Sequence, residues 1–287
     1  MEKIQLDKAS FLPEGFQKNS YPLESFDLRP ELIRLLIDKG FIEEPVSLEK
    51  LHLYISKENQ RANEYDGLNK VSKAFYETSE TYQGIYLKLV NYVATNILKF
   101  DFIFQTTPTI RFHFPNSFSE IRYKSSDGTI MTHHNDAMLG HPFEEINCWL
   151  PLTECYGTNS LQLASLGESN RILNYFCQEF DFDAEIYHSQ GRERFFDKLC
   201  ADGEFKKLVL TSVLPVKTVQ GEVIFFDSRC IHTTAENVED GTRISMDFRL
   251  IPLQVYESMT RTYKSAGRSG RLFARGDVFS EKSAFEV

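Results

Sequence analysis

A β-sandwich or jelly roll braced by helices is the fold the sequence predicts, and three observations predict it. The first hundred or so residues carry apolar positions at helical spacing. From Phe102 the pattern changes to short β-branched and aromatic runs of period two, and residues 168–206 return to helix and loop between strands. Among the early elements, Pro30 opens ELIRLLIDKGF, where Leu32, Leu35, Leu36 and Phe41 recur on one face and Gly40 supplies a stop. Helix is also expected from Ser47 to about Tyr76 and from Thr78 to Phe100, the latter carrying Ile85, Leu87, Leu89, Val90, Val93, Ile97 and Leu98 as core positions. Eight strands follow: FIFQ, TIRFHF, TIMTHHND, EINCWLPLT, SLQLAS, LVLTSVLPVKT, GEVIFFD and TRISMDFRLIP. Strands in this number after a helical layer suit two packed sheets with helices on one face. An insertion as long as 168–206 is typical of a lid or partner surface.

Neither a repeat nor a Pro/Gly/Ser-rich linker divides the chain, so residues 1–287 are expected to form one domain. Its parts are a helical layer over 1–100, a β core over 101–253 and a C-terminal segment over 254–287. A hydrophobic share of 41% and a charged share of 25% exclude disorder, and a chain of this length buries about 75% of its unfolded surface. The 32 basic and 41 acidic residues give a net charge of −9, which speaks against a general nucleic-acid binder. The balance is uneven: from Arg243 onward there are eight basic and five acidic residues, including the basic run RSGRLFAR (Arg268 to Arg275). Five cysteines without a C-x-x-C argue against a disulfide framework or a cysteine zinc site and fit a reducing cytoplasm. With no apolar run of signal or membrane length, neither export nor a membrane partner is expected.

Three of only seven histidines, His133, His134 and His141, fall within nine residues. His134-Asn135-Asp136 is an H-x-D triplet, and in extended chain positions i and i+2 project to one face, so an imidazole and a carboxylate can share a metal. His232, directly after the strand GEVIFFD and its turn, is the candidate third ligand. Two histidines and one carboxylate leave open positions on a divalent ion, the arrangement associated with non-haem Fe(II) oxygenases. Eleven residues beyond His232 comes Arg243, sharing a strand face with Ser245; a guanidinium fork and a hydroxyl can together hold the far carboxylate of a chelating dicarboxylate.

With these residues the sequence resembles the Fe(II)/2-oxoglutarate-dependent dioxygenase superfamily, whose members carry H-x-D, a distal His and an Arg about ten residues further on. HHNDAMLGHPFEEINCWLPLTECYGTNSLQLAS and GEVIFFDSRCIHTTAENVEDGTRISMDFRLIP look like the phytanoyl-CoA-hydroxylase-type branch, and more closely like streptomycin-biosynthesis oxygenase-like proteins. The resemblance covers about residues 100–275. It implies a double-stranded β-helix in which His134, Asp136 and His232 bind Fe(II) and Arg243, with Ser245, binds 2-oxoglutarate, dioxygen being the second co-substrate. It further implies that the carboxylate of Asp136, where related halogenases have Ala or Gly, directs the chemistry to hydroxylation or another oxidation. The implied substrate is a small polar metabolite such as a sugar, amino sugar or secondary-metabolite intermediate.

Secondary positions carry weaker signals. Asn147 and Trp149 alternate along their strand, so the amide could bond a co-substrate and the indole stack on a ligand or fill the core. His141 is close enough in sequence to line the site mouth, and His133 should point away from the metal face. Arg111 and His113 could line the pocket or only pair across strands; Arg249, on the Arg243 face, could serve substrate or a structural ion pair. A non-catalytic cupin-like sugar-binding module and a peptide or protein hydroxylase are the alternative readings. An arginine at the dicarboxylate position argues against the first.

Overall fold

The computed structural model describes residues 8–63, 67–75, 79–117, 123–126, 128, 130–139, 141–178, 191–258 and 279–282. Ten strands among them are labelled β1 (Phe16–Ser20), β2 (Phe102–Gln105), β3 (Thr109–His113), β4 (Ile146–Pro151), β5 (Leu161–Leu163), β6 (Leu214–Pro215), β7 (Glu222–Asp227), β8 (His232–Thr234), β9 (Arg243–Pro252) and β10 (Phe279–Lys282). They form a double-stranded β-helix, or jelly roll, of two antiparallel sheets. The major sheet runs β1-β7-β4-β9-β2-β10, with β3 also paired to β9, and the minor sheet runs β6-β5-β8. Ten-residue β9 organises the major sheet: β4 lies along one edge, while β3 and β2 share the other end to end.

Period two along β9 separates the two faces of this sheet. Ile244, Met246, Phe248 and Leu250 are buried in the large hydrophobic core beneath the N-terminal helices. Arg243, Ser245, Asp247 and Arg249 are therefore left on the opposite face, toward the minor sheet. The covering helices are α1 (Arg29–Asp38), opened by Pro30, and α2 (Glu80–Tyr92), capped by the Ser79 hydroxyl, which accepts from the Tyr82 amide at 3.0 Å. Tyr82 and Tyr86 of α2 are fully buried on the sheet, each burial contributing roughly 1.5–3 kcal/mol. The N-terminal segment is pinned at Gly15, whose φ of +83° suits glycine and whose carbonyl accepts from the Asp227 amide at 2.8 Å.

Among the described residues the insert contributes three helices: α3 (Leu166–Phe176), α4 (Gly191–Ala201) and α5 (Gly203–Ser212). Phe176, Phe195 and Phe205 join them, with Phe176–Phe195 and Phe195–Phe205 ring centroids both 5.1 Å apart. Their core also takes in Met131, Ala137, Met138 and Ile231, the chain on either side of the H-x-D triplet and His232. The insert thus braces the loops that carry the candidate ligands.

Several expected elements differ. Residues 130–136 of TIMTHHND form no strand; only isolated bridges occur, at Ile130 and at His134, which pairs with His232. The first five residues of LVLTSVLPVKT are helix, because the Asp202 carboxylate accepts from the Phe205 amide at 2.9 Å and starts α5; of the remainder, Leu214–Pro215 forms a short strand. Expected helix over 47–76 is broken into 3₁₀ turn Leu48–Leu53 and short helices Lys57–Gln60 and Lys70–Ala74. The basic run 268–275 and residues 179–190 of the insert lie outside the described residues. Among the described residues no helix is long and apolar enough to cross a membrane.

Candidate metal and dicarboxylate site

His134 reaches the site because its backbone pairs with His232: each amide donates to the other's carbonyl, at 3.1 and 2.8 Å. This two-residue bridge extends the edge of β8 and brings the imidazoles together, tilted at 52° with ring centroids 4.5 Å apart. Asp136 begins a 3₁₀ turn, Asp136–Leu139, anchored by its amide donating to the Ser228 carbonyl at 3.0 Å. One ligand atom from each of His134, Asp136 and His232 lies within 4.8 Å of the others.

The protonation pattern fits a divalent cation. Nδ1 of His134 donates to the Thr132 carbonyl at 2.6 Å and Nδ1 of His232 to the Cys230 carbonyl at 2.9 Å, so both rings keep the Nε2 lone pair for a ligand. Burial lowers both imidazole pKa values, with Asp136 opposing it at His232, and keeps the rings neutral at pH 7. Burial alone would raise the Asp136 carboxyl, but Arg249 and the surrounding histidines outweigh it and hold it well below the usual range. One Asp136 oxygen, Oδ2, accepts from the Asn147 amide; the other, Oδ1, is buried with no hydrogen-bond partner. Such an orphaned carboxylate oxygen facing two imidazole lone pairs is what a metal would satisfy.

Arg243 lies in the same cavity, of about 210 Å³. It is 2% exposed, donates through Nε to the Asn159 carbonyl at 3.0 Å and through Nη1 to the Ser245 hydroxyl at 2.7 Å, and places Nη2 3.2 Å from Nδ1 of His113. Burial lowers its pKa to about 10, so it stays charged at pH 7. Among the described residues no carboxylate lies within ion-pair distance of it, so the guanidinium is held by neutral groups and lacks an anion. Trp149 lines the cavity beside it, with the guanidinium carbon 6.0 Å from the ring centroid, and also packs in the inter-sheet core.

Other expected site residues fall into place less simply. Asn147 lines the cavity, but its amide nitrogen is committed to Asp136 and positions that carboxylate. His141 is not among the cavity-lining residues; its Nδ1 sits 3.1 Å from the buried Glu145 carboxylate. His133 stays outside the ligand cluster and is buried, its pKa lowered to about 4 by that burial. Arg249 lines the cavity between carboxylates, its Nε 2.8 Å from Glu145 and a terminal nitrogen 3.7 Å from Asp136. Arg111 lines the cavity and pairs with Asp247 at 2.8 Å, whereas His113 is spent on Arg243. Three contributors were not anticipated: Glu145, Asp247 and Arg192 of α4. Asp247 is readable, since it alternates with Arg243 and Arg249 in RISMDFRLIP, and so is Glu145, which alternates with Asn147 and Trp149 in EINCWLP; Arg192 carries no local signal.

A jelly roll that brings two imidazoles, a carboxylate and a buried arginine to one cavity defines a candidate mononuclear metal site of the two-histidine, one-carboxylate type. No protein-family model matches the chain. It is similar to the streptomycin biosynthesis protein StrG of Streptomyces griseus, 25% identical over 232 residues that span 80% of this chain and 87% of the relative. Among solved structures it is similar to SnoK, a non-heme alpha-ketoglutarate-dependent carbocyclase from nogalamycin biosynthesis, at TM-score 0.46 and 12% identity, covering 88% of this chain and 85% of that one. AviO1 from Streptomyces viridochromogenes Tue57 aligns at TM-score 0.41 and 15% identity, covering 88% and 97%.

Proposed function

We propose that residues 1–287 form a single non-haem Fe(II)/2-oxoglutarate-dependent oxygenase domain that oxidises, by hydroxylation, a small polar metabolite. The observation that carries this reading is the joint presence, in one cavity, of the His134–Asp136–His232 donor set and the buried Arg243 without an anionic partner. Similarity to a streptomycin biosynthesis protein supports a metabolite of the sugar or amino-sugar kind.

Nε2 of His134, Oδ1 of Asp136 and Nε2 of His232 would hold the iron, with Asn147 fixing the carboxylate and two backbone carbonyls fixing the imidazole tautomers. Arg243 and the Ser245 hydroxyl would take the distal carboxylate of 2-oxoglutarate, giving the buried guanidinium its missing counter-charge. Iron with 2-oxoglutarate and dioxygen supplies oxidation of an unactivated C–H bond, releasing succinate and carbon dioxide. Trp149, Leu161 and Phe226 make one wall of the cavity apolar and limit water beside the donor set. Succinate release tests the reading: Fe(II), ascorbate and 2-oxoglutarate with a panel of sugars and amino sugars should give succinate with the unmodified chain and none with His134→Ala. Equal release from both proteins would refute it.

A further inference from the structure

In a chain of net charge −9, the described lining of the cavity holds four arginines, Arg111, Arg192, Arg243 and Arg249, against two aspartates, Asp136 and Asp247. These arginines are not equivalent. Arg243 engages its Nε and both terminal nitrogens within the fold. Arg249 lies among three carboxylates, at 2.8 Å from Glu145, 3.7 Å from Asp136 and 3.9 Å from Asp247. Arg111, with 37% of its side chain exposed, differs: only its Nε is engaged, donating to Asp247 at 2.8 Å, and its two terminal nitrogens have no partner among the described residues. An aspartate on the Nε edge fixes the plane of the guanidinium and leaves the paired terminal N–H groups as a fork for a second oxyanion.

Position agrees with this. Arg111 stands on β3 directly opposite Ser245 of β9, two pairs along from the Arg243–His113 pair. It lines the cavity that also holds His134, Asp136, His232 and Arg243, and its charge lowers the pKa of both His232 and Arg243. Arg192 comes from the insert helix α4, lies over the Tyr123 ring at 4.1 Å, and its charge acts on His134. We infer that the substrate carries an anionic oxygen group, a phosphate monoester or a carboxylate, gripped by the open fork of Arg111 at the cavity mouth; this rests on the functional reading above. The neutral remainder of the substrate then lies along Trp149, while 2-oxoglutarate occupies Arg243.

Trp149 is the only tryptophan and lines the cavity, so its fluorescence reports occupancy. The protein, loaded with Mn(II) and saturated with 2-oxoglutarate without oxygen, is titrated with glucose 6-phosphate, glucuronate and glucose. At least one anionic probe should bind about tenfold more tightly than glucose, and which one identifies phosphate or carboxylate. Arg111→Gln should abolish that preference; Arg111→Lys, which keeps charge and bulk but not the fork, should retain part of it. The inference is overturned if glucose binds within about twofold of both anions, if neither anion binds by about 10 mM, or if Arg111→Gln keeps the preference. Titrating 2-oxoglutarate alone into the unmodified Mn(II)-loaded protein separates the two readings: its failure to bind refutes the functional one, whatever the sugar probes do.

Discussion

Replacing Arg243 by Met removes the guanidinium while filling similar volume. In the unmodified chain the charge is 2% exposed and held only by the Asn159 carbonyl, the Ser245 hydroxyl and His113. If 2-oxoglutarate supplies its counter-ion, removing one partner of a buried, hydrogen-bonded charge pair costs about 2–5 kcal/mol, or roughly 30-fold to several thousand-fold in affinity. A ligand at a hundredfold excess over its Kd stabilises the fold by about 2.7 kcal/mol. For 287 residues, an unfolding entropy of about 2.1 cal/mol/K per residue converts this to a rise in Tm of about 4–5 °C. At the same 2-oxoglutarate concentration, Arg243→Met should give a rise below about 1.5 °C. Thermal denaturation of Mn(II)-loaded protein without oxygen, with and without 2-oxoglutarate, reads both shifts. A full shift in Arg243→Met would refute the assignment of this arginine to the dicarboxylate.

Asn147→Ala should weaken Mn(II) binding about 10–100-fold, because Asp136 loses the amide that fixes its Oδ2; an unchanged Kd by calorimetry would show that the amide does not matter. Gly15→Ala should cost about 2–4 kcal/mol and lower Tm, since φ is +83° and the new Cβ would fall 2.5 Å from Leu166 Cβ and 2.7 Å from Cys230 Sγ. In the metal-free protein, His113, His133, His134 and His232 all have folded pKa values below the unfolded 6.5. Each is neutral in the fold and protonated on unfolding at lower pH, so stability is full above pH 6.5 and is lost as pH falls, through about 4 for His133. Denaturant midpoints should therefore be lower at pH 5 than at pH 7, and equal midpoints would contradict the burial argument.

The sequence was most informative where one strand carries both core and site. In TRISMDFRLIP the alternation puts aliphatics under the helices and Arg243, Asp247 and Arg249 in the cavity, with Ser245 buried on the same face of β9. Strand periodicity accounts for only part of the H-x-D geometry. His134 is held by a single bridge to His232 and Asp136 by a 3₁₀ turn, so tertiary contacts, not strand periodicity, bring them together. β-branched residues in LVLTSV suggested a strand, but the Asp202 cap and burial of Phe205 and Val209 in the insert core made a helix. β1, FQKNS, escaped notice because it is a polar strand at the end of the sheet, defined by pairing with β7 and not by its own pattern. The bracing of Arg249 by Glu145 is likewise invisible locally, since the two residues are over a hundred positions apart.

Mn(II) titration followed by electron paramagnetic resonance tests the assignment of His134, Asp136 and His232 to one divalent-metal site. The unmodified protein should remove the free-ion signal with one Mn(II) bound per chain, and His134→Ala and His232→Ala should each leave that signal at its buffer intensity. Absence of binding in the unmodified protein, or one Mn(II) bound with undiminished affinity in both variants, would contradict it.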